Sequence, residues 1–359
     1  MSVSMLSENL VRAGIYTEVY ATTANGKEEL PVVPGASVSV DGVTVTYFKR
    51  LTGDHSHFSP ALFSRLKKEA KNFDLVHIHA WWNLVSVFSC LIALRQKVPV
   101  LLSPRGTLSR YSFQNKSIGT KWLLHQMIGK SLLRKCFIHA TTRHESEAVA
   151  SLFKPKKNYI VPNFVKLPAK KSYPDRKPTS ILKLLFFSRI EEKKGLDILL
   201  EALPAVTVPF ELTVAGDGDT NYVASLKALA VELKIDDKIN WIGFQSENKF
   251  DLLQAHDLFV LPSYDENFGN TVIESLGVGT PVLISEEVGL ADYVKENQMG
   301  WICHTNPQSV AWEINNIFIN QQAEMEAIRK KAPEIIFRDF DDDNLVRKYI
   351  EMYQQLVVI

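Results

Sequence analysis

Cysteine is scarce in this chain of 359 residues: Cys90, Cys136 and Cys303 stand far apart, with no C-x-x-C pair. That spacing argues against a zinc site and a disulfide framework and suits a reducing compartment. Excess charge of one sign is absent too. The net charge is +1, so no global field points to nucleic acid. The opening residues lack the basic flank and apolar core of a secretory signal. The most apolar stretch, Trp81–Leu94, contains Asn83, Ser86 and Ser89 and stops at Arg95, short of the ~20 apolar residues of a spanning helix. Fixed-period repeats and low-complexity tracts are missing. A cytoplasmic location is expected.

The chain does have apolar content for full cores, with 46% hydrophobic and 23% charged residues, and a length that suggests two domains. Short runs of Val, Ile, Leu and Phe alternate with helix-spaced segments. The runs predict strands at Thr17–Thr22, Thr44–Phe48, Leu75–His79, Val98–Ser103, Phe137–Thr141 and Tyr159–Pro162. A second series covers Leu182–Ser188, Glu211–Ala215, Ile239–Phe244, Leu258–Pro262 and Pro281–Ser285. Near-continuous apolar runs between helices indicate parallel sheets covered on both faces. Lys166–Thr179, lysine-rich and holding Pro168, Pro174 and Pro178, reads as a linker. The expected fold is α/β, with two doubly wound domains: residues 1–163, joined by the amphipathic helix 343–357, and residues 164–342. Ligands in such sheets bind beyond the carboxyl ends of the strands, so the expected site is a cleft shared by the two.

Three segments of the second series carry chemistry. In Ser263-Tyr-Asp-Glu-Asn-Phe-Gly-Asn-Thr-Val-Ile-Glu-Ser275 a strand ends, Gly269 turns, and a helix begins. The amides of Phe268, Gly269, Asn270 and Thr271 would lie at the helix N-terminus and favour phosphate or sugar oxygens. Glu266 in the loop and Glu274 in the helix would each accept hydrogen bonds from sugar hydroxyls, or else serve as a cap and a solvated side chain. In Phe187-Ser-Arg-Ile-Glu-Glu-Lys-Lys-Gly-Leu-Asp197, Arg189 and Lys194 would clamp a diphosphate; the alternative is a solvated loop with Arg–Glu pairs. Ala215-Gly-Asp-Gly-Asp219 is a turn after a strand.

Taken together, in this order and spacing, these segments resemble the family-four retaining glycosyltransferases of the GT-B architecture, over most of the chain from Ser4 onward. Ser103-Pro-Arg-Gly-Thr-Leu108, Ala140-Thr-Thr-Arg-His-Glu145 and Val161-Pro-Asn163 are similar to landmarks of members that build bacterial surface polysaccharides. The resemblance implies a hexosyl transfer from a UDP- or GDP-sugar to a saccharide or polyprenyl-linked acceptor. Arg189 and Lys194 would neutralise the diphosphate, and Glu266 would orient the transferred sugar. Glu274 would hold the ribose, the Phe268–Thr271 amides would touch the sugar and distal phosphate, and Phe244 would lie beside the base. Gly216 and Arg105 would also line the substrate site. No metal or other cofactor is implied; Asp341-Asp-Asp343 reads as a cap of the last helix.

The sequence departs from the family pattern in three places. Arg105-Gly106 stands where His-Gly is usual, and Arg cannot act as a neutral acceptor or base. Phe164 replaces a frequent glycine, for which a local change of turn is expected. A helix at Ser4–Ala13, followed by Gly14 and a strand, opens the chain where a strand and a glycine-rich loop should already have passed. The expectation is that roughly 15–20 residues of that strand and loop precede this start. A nucleotide-sugar epimerase of the same architecture and an inactive nucleotide-sugar-binding protein are the alternatives. His77 and His79, beside Trp81 and Trp82, would serve in the cleft or as packed residues. Leu75–His144 contains ten Lys and Arg and no Asp or Glu. Within it, a helix at Lys121–Lys135 would meet an anionic membrane surface or lipid diphosphate, or pack on the sheet with solvated lysines.

Overall fold

The structure, a computed structural model, describes residues 2–26, 28–54, 56–109, 111, 129–169 and 180–357. Most of the expected helix Lys121–Lys135 and most of the expected linker lie outside the described residues. The chain divides into two compact units, Met1–Phe164 with Asp342–Ile359, and Val165–Asp341.

The first unit opens with the helix Ser2–Arg12, whose Leu6 and Leu10 are buried. Strand β1 (Glu18–Thr22) follows, then a two-residue hairpin of β2 (Ala24–Asn25) and β3 (Glu28–Glu29), then β4 (Ser37–Val40) and β5 (Val43–Phe48). β1 runs parallel to β5, and β4 runs antiparallel on its other side. A separate sheet holds β6 (Val76–His79), β7 (Val100–Ser103), β8 (Phe137–Ala140) and β9 (Lys157–Ile160), all parallel. Its core joins Ile78, Leu102 and Ile138 to Trp81, Leu133 and Val149. Cys90 and Cys136, distant in sequence, meet inside this core as free thiols with sulfurs 3.4 Å apart.

The C-terminal helix Asp342–Val357 belongs to this first unit. Asp342 and Asp343 stand in its first turn, where the helix dipole favours anions. Leu345, Tyr349, Met352 and Leu356 form its buried side. Phe164 does more than reshape a turn: it is fully buried and stacks on Tyr349, with ring centroids 5.5 Å apart. A large side chain there fastens the helix to the unit.

The second unit has one six-stranded parallel sheet in the order β12-β11-β10-β13-β14-β15. These strands are β10 (Leu182–Phe187), β11 (Phe210–Ala215), β12 (Ile239–Gly243), β13 (Leu258–Leu261), β14 (Val282–Ser285) and β15 (Gly300–Cys303). β13 and β14 are buried throughout, as their unbroken apolar runs require. The chain moves outward from β10 to β12, returns, and moves out the other way from β13. β10 and β13 therefore flank the point where strand order reverses, and the crevice beyond their carboxyl ends is where such sheets bind ligands.

All eleven runs predicted from sequence are strands. The hairpin β2–β3, β4 and β15 were not anticipated. β4 is solvent-exposed at every position and alternates Ser with Val, so it offers no apolar run. β15 is a four-residue strand at the sheet edge that begins with glycine.

Backbone crowding at the carboxyl ends of the second sheet is severe. Gly216 has φ +150°, and a Cβ there would lie 1.9 Å from the carbonyl oxygen of Ser188. Gly216→Ala should cost about 3 kcal/mol or more. The midpoint of the second unit's thermal transition should then fall by about 6–12 °C. An unchanged midpoint in a calorimetric scan would show that the backbones can separate.

Candidate functional site

Past the end of β10 the chain stays close to its neighbour. Ser188 N–H donates to Ala215 O at 3.1 Å and Ile190 N–H to Asp217 O at 2.9 Å. This pairing explains the Gly-Asp-Gly turn: its glycines let two backbones touch. Gly216 N–H also donates to Gly243 O at 2.8 Å, which sets the largely exposed Phe244 beside the turn. Arg189 is 72% exposed, and its Nη1 pairs with Glu191 at 2.8 Å.

A short 3-10 turn, Glu192–Lys194, ends at Gly195 in the left-handed region. A Cβ on Gly195 would lie 2.0 Å from the carbonyl oxygen of Pro262. The segment after β10 thus packs directly on the end of β13. Tyr264 N–H donates to Lys193 O at 2.8 Å, and its hydroxyl donates to Asp197 at 2.9 Å. This contact buries Lys194 and delivers its ammonium to the Glu266 carboxylate. Glu266 is fixed through its own backbone. Its N–H donates to Glu287 O at 3.1 Å, and its carbonyl accepts from Gly289 N–H at 2.7 Å. Two residues on, buried Phe268 sets its ring edge-on to Phe340. Gly269, at φ +88°, starts the helix Asn270–Gly277. The amides of its first turn, among them Asn270 and Thr271, face no intrahelical carbonyl.

Inside that helix Glu274 is buried, and Lys249 Nζ lies 2.6 Å from its Oε1. Burial pushes the Glu274 carboxyl above the usual carboxylate range, and Lys249 opposes the push. The structure thus joins Lys194 to Glu266 directly and sets Phe268–Thr271 at the adjoining helix end. Arg189 lies at the outer rim against Glu191. Lys249 and the Glu287–Gly289 loop were missed by sequence reasoning. The only signal available for the loop was its place after a buried strand, and for Lys249 there was none.

In the first unit the three sequence landmarks come together. Arg105, at φ +55°, donates to the side-chain oxygen of Asn163 and, at 3.4 Å, to His79 Nδ1. Glu145, buried at a helix start, accepts from Gly106 N–H at 2.9 Å and from the Thr141 N–H and hydroxyl at 2.8 and 2.9 Å. His77 and His79 are packed side chains whose ring centroids lie 4.2 Å apart. A hydrogen-bonded relay runs through His77: Tyr353 hydroxyl to Nδ1, 2.8 Å; Nε2 to Ser103 Oγ, 2.7 Å; Ser103 Oγ to His139 Nδ1, 2.6 Å; His139 Nε2 to Val161 O, 2.8 Å. The Val161 carbonyl can only accept, so His139 Nε2 carries the proton and Nδ1 accepts from Ser103. Ser103 then accepts from His77 Nε2, and Tyr353 donates to His77 Nδ1. Every member has one assignment while both histidines are neutral. Burial lowers both, His139 to about 3, and Arg105 lowers them further.

Comparison with known proteins bears on what this arrangement serves. Residues 1–167 match the family model described as Glycosyltransferase Family 4, and residues 171–335 the one described as Glycosyl transferases group 1. The chain is 24% identical to the uncharacterized glycosyltransferase MJ1607 of Methanocaldococcus jannaschii, over 97% of this chain and 92% of that one. It is 25% identical to the putative colanic acid biosynthesis glycosyltransferase WcaL of Escherichia coli, over 51% of this chain and 47% of that one. In fold it is similar to the crystal structure of Anabaena HepE in complex with UDP and glucose. The TM-score is 0.71 at 19% identity, covering 88% of this chain and 87% of that chain.

The relay generates a pH dependence. In the unfolded chain His77, His79 and His139 protonate near pH 6.5. In the folded unit all three are held lower, chiefly by burial. The unfolded state therefore binds more protons as pH falls below about 6.5, and folding stability drops with it; above about pH 7 the dependence vanishes. Thermal unfolding of the first unit should move to lower temperature between pH 7.5 and 5.0. His77→Gln should lose less over that interval. A transition that does not move would contradict neutral histidines.

Proposed function

The chain belongs to the group 1 glycosyltransferases, of GT-B architecture, and on that premise we propose that it is a retaining hexosyltransferase using a UDP- or GDP-sugar. The observation that carries this reading is the Lys194–Glu266 pair at the reversal point between β10 and β13, beside a helix N-terminus. A nucleotide diphosphate needs cations and free amides where its charge grows, and this edge of the sheet supplies both. Lys194 faces the departing phosphate, and Arg189 reaches it from the rim by exchanging Glu191 for a phosphate oxygen. Glu266 accepts from hydroxyls of the transferred sugar once the ligand takes the Lys194 ammonium. The Phe268–Thr271 amides bind the sugar and distal phosphate. Glu274 takes the ribose, and Phe244, exposed next to the Gly216 turn, lies along the base. These side chains and the helix end neutralise the leaving group without a divalent metal. The relative bound to UDP and glucose supports the donor class.

The acceptor is proposed to be a saccharide or a polyprenyl-linked saccharide in polysaccharide assembly, with Arg105 on the acceptor-binding unit. The colanic acid relative and the acid-free basic stretch 75–144 support this. No helix among the described residues is long and apolar enough to cross a membrane. Contact with a lipid-linked acceptor is proposed to be peripheral, at the cytoplasmic face. The Arg105 substitution favours one second reading, a protein that binds nucleotide sugar without transfer. Incubation with labelled donor and a lipid-linked acceptor separates the two, and also separates both from an epimerase: labelled acceptor, unchanged donor, or epimerised donor.

Two outcomes are expected. Lys194→Ala should lower kcat far more than affinity for UDP or GDP, because a cation facing the leaving phosphate interacts most strongly as charge develops. Equal losses in both would place Lys194 in ground-state binding alone. Turnover should also persist in EDTA. Loss on chelation with recovery on added magnesium or manganese would show that a metal carries the charge instead.

A further inference from the structure

Lys249 has no part in the roles assigned so far, yet it contacts the most deeply buried carboxylate of the candidate site. It opens the helix Lys249–Ala255. Its ammonium lies 2.6 Å from Glu274 Oε1, with side-chain exposures of 16% for Lys249 and 8% for Glu274. Phe250 backs the same ammonium, 4.9 Å from the ring centroid. A carboxylate removed from water this far, with no cation, takes up a proton rather than stay charged. Among the described residues, Lys249 is the charged group that acts on the Glu274 carboxyl. Asp251, on the same helix as Lys249, is exposed. Arg329, on the helix Gln322–Asp339, binds Asp257 and Glu326. β14 carries no titratable side chain. Lys194 is held by Glu266.

We propose that Lys249 is a positioning residue of the nucleotide site: it holds Glu274 as a carboxylate and occupies Oε1, leaving Oε2 to accept from the vicinal diol of the ligand's ribose. The inference rests on the ribose role proposed for Glu274. It adds that this role requires a second residue 25 positions away. Lys249 acts by fixing charge and orientation, and bond making at the sugar does not involve it.

Affinity for UDP and for GDP, measured by calorimetry from pH 6.0 to 8.5, tests this in the full chain. The native protein should bind with little change over that range. Lys249→Met should bind more weakly, with the deficit growing as pH falls, towards tenfold per pH unit in the limit where only the ionised carboxylate binds. Lys249→Gln keeps a hydrogen-bond donor without charge and should show the same slope, which guards against misfolding of the methionine variant. Lys249→Arg should restore the flat profile. Glu274→Gln should bind weakly at every pH. Flat profiles for Lys249→Met and Lys249→Gln, with Glu274→Gln still weak, would overturn the role of Lys249 and leave the ribose reading standing. Native affinity in Glu274→Gln would overturn the ribose reading itself, and this proposal with it.

Discussion

The contact between the backbone at Gly195 and the carbonyl of Pro262 governs the geometry of the candidate site. A methyl group at Gly195 would sit 2.0 Å from that oxygen, so the two strand-end segments can touch only through glycine. Once they touch, the rest follows in sequence. The 3-10 turn before Gly195 ends at a fixed place, Lys194 is enclosed, and its ammonium has Glu266 within reach. Glu266 is held by the Glu287–Gly289 loop on its other side. An ion pair between flexible surface side chains contributes little. This one joins side chains whose backbones are already fixed, so little entropy opposes it. It keeps both groups in place for the ligand proposed to separate them.

Much of this was legible in the sequence, for a physical reason. Strands buried on both faces must be almost continuously apolar, as β7, β8, β13 and β14 are, and such runs stand out in the sequence. A site at strand ends is built from short contiguous segments, so Lys194, Gly195, Glu266 and Gly269 could be read from local spacing. The illegible parts depend on contacts between distant segments. Lys249 is an ordinary helix-opening lysine until the fold brings Glu274 to it. Ser103, His139 and Tyr353 become partners of His77 only when the strands and the last helix assemble. Arg189 and Lys194 looked equivalent in sequence, two cations five residues apart. The structure separates them, one exposed beside Glu191 and one buried against Glu266. Local pattern carries no information on that difference, because packing by the β13 end decides it.

Two buried polar clusters, one in each unit, are held by different means. In the second, Lys194–Glu266 and Lys249–Glu274 are charged pairs, each partner compensating the other's loss of water. In the first, the relay through His77 and His139 is held by neutral groups. A carbonyl at one end fixes the direction of every proton along it. Charged pairs suit the anionic ligand proposed for this site, since a phosphate can take the place of the carboxylate partner. A neutral relay has no such exchange to make. Its function is to fasten the returning C-terminal helix to the sheet, which Phe164 does from the apolar side.

Arg105 sets a positive charge beside the neutral relay of the first unit. A guanidinium among neutral histidines keeps them neutral, since its charge adds to burial in opposing their protonation. It is also locked in direction, by Asn163 on one nitrogen and His79 on another. A histidine at position 105 would leave the neighbouring imidazoles less strongly biased and would be a fourth titrating ring in the same cluster. Arginine at position 105 is therefore a fixed positive charge where a histidine could gain or lose a proton. It stands in a neighbourhood whose hydrogen bonds depend on protons staying where they are.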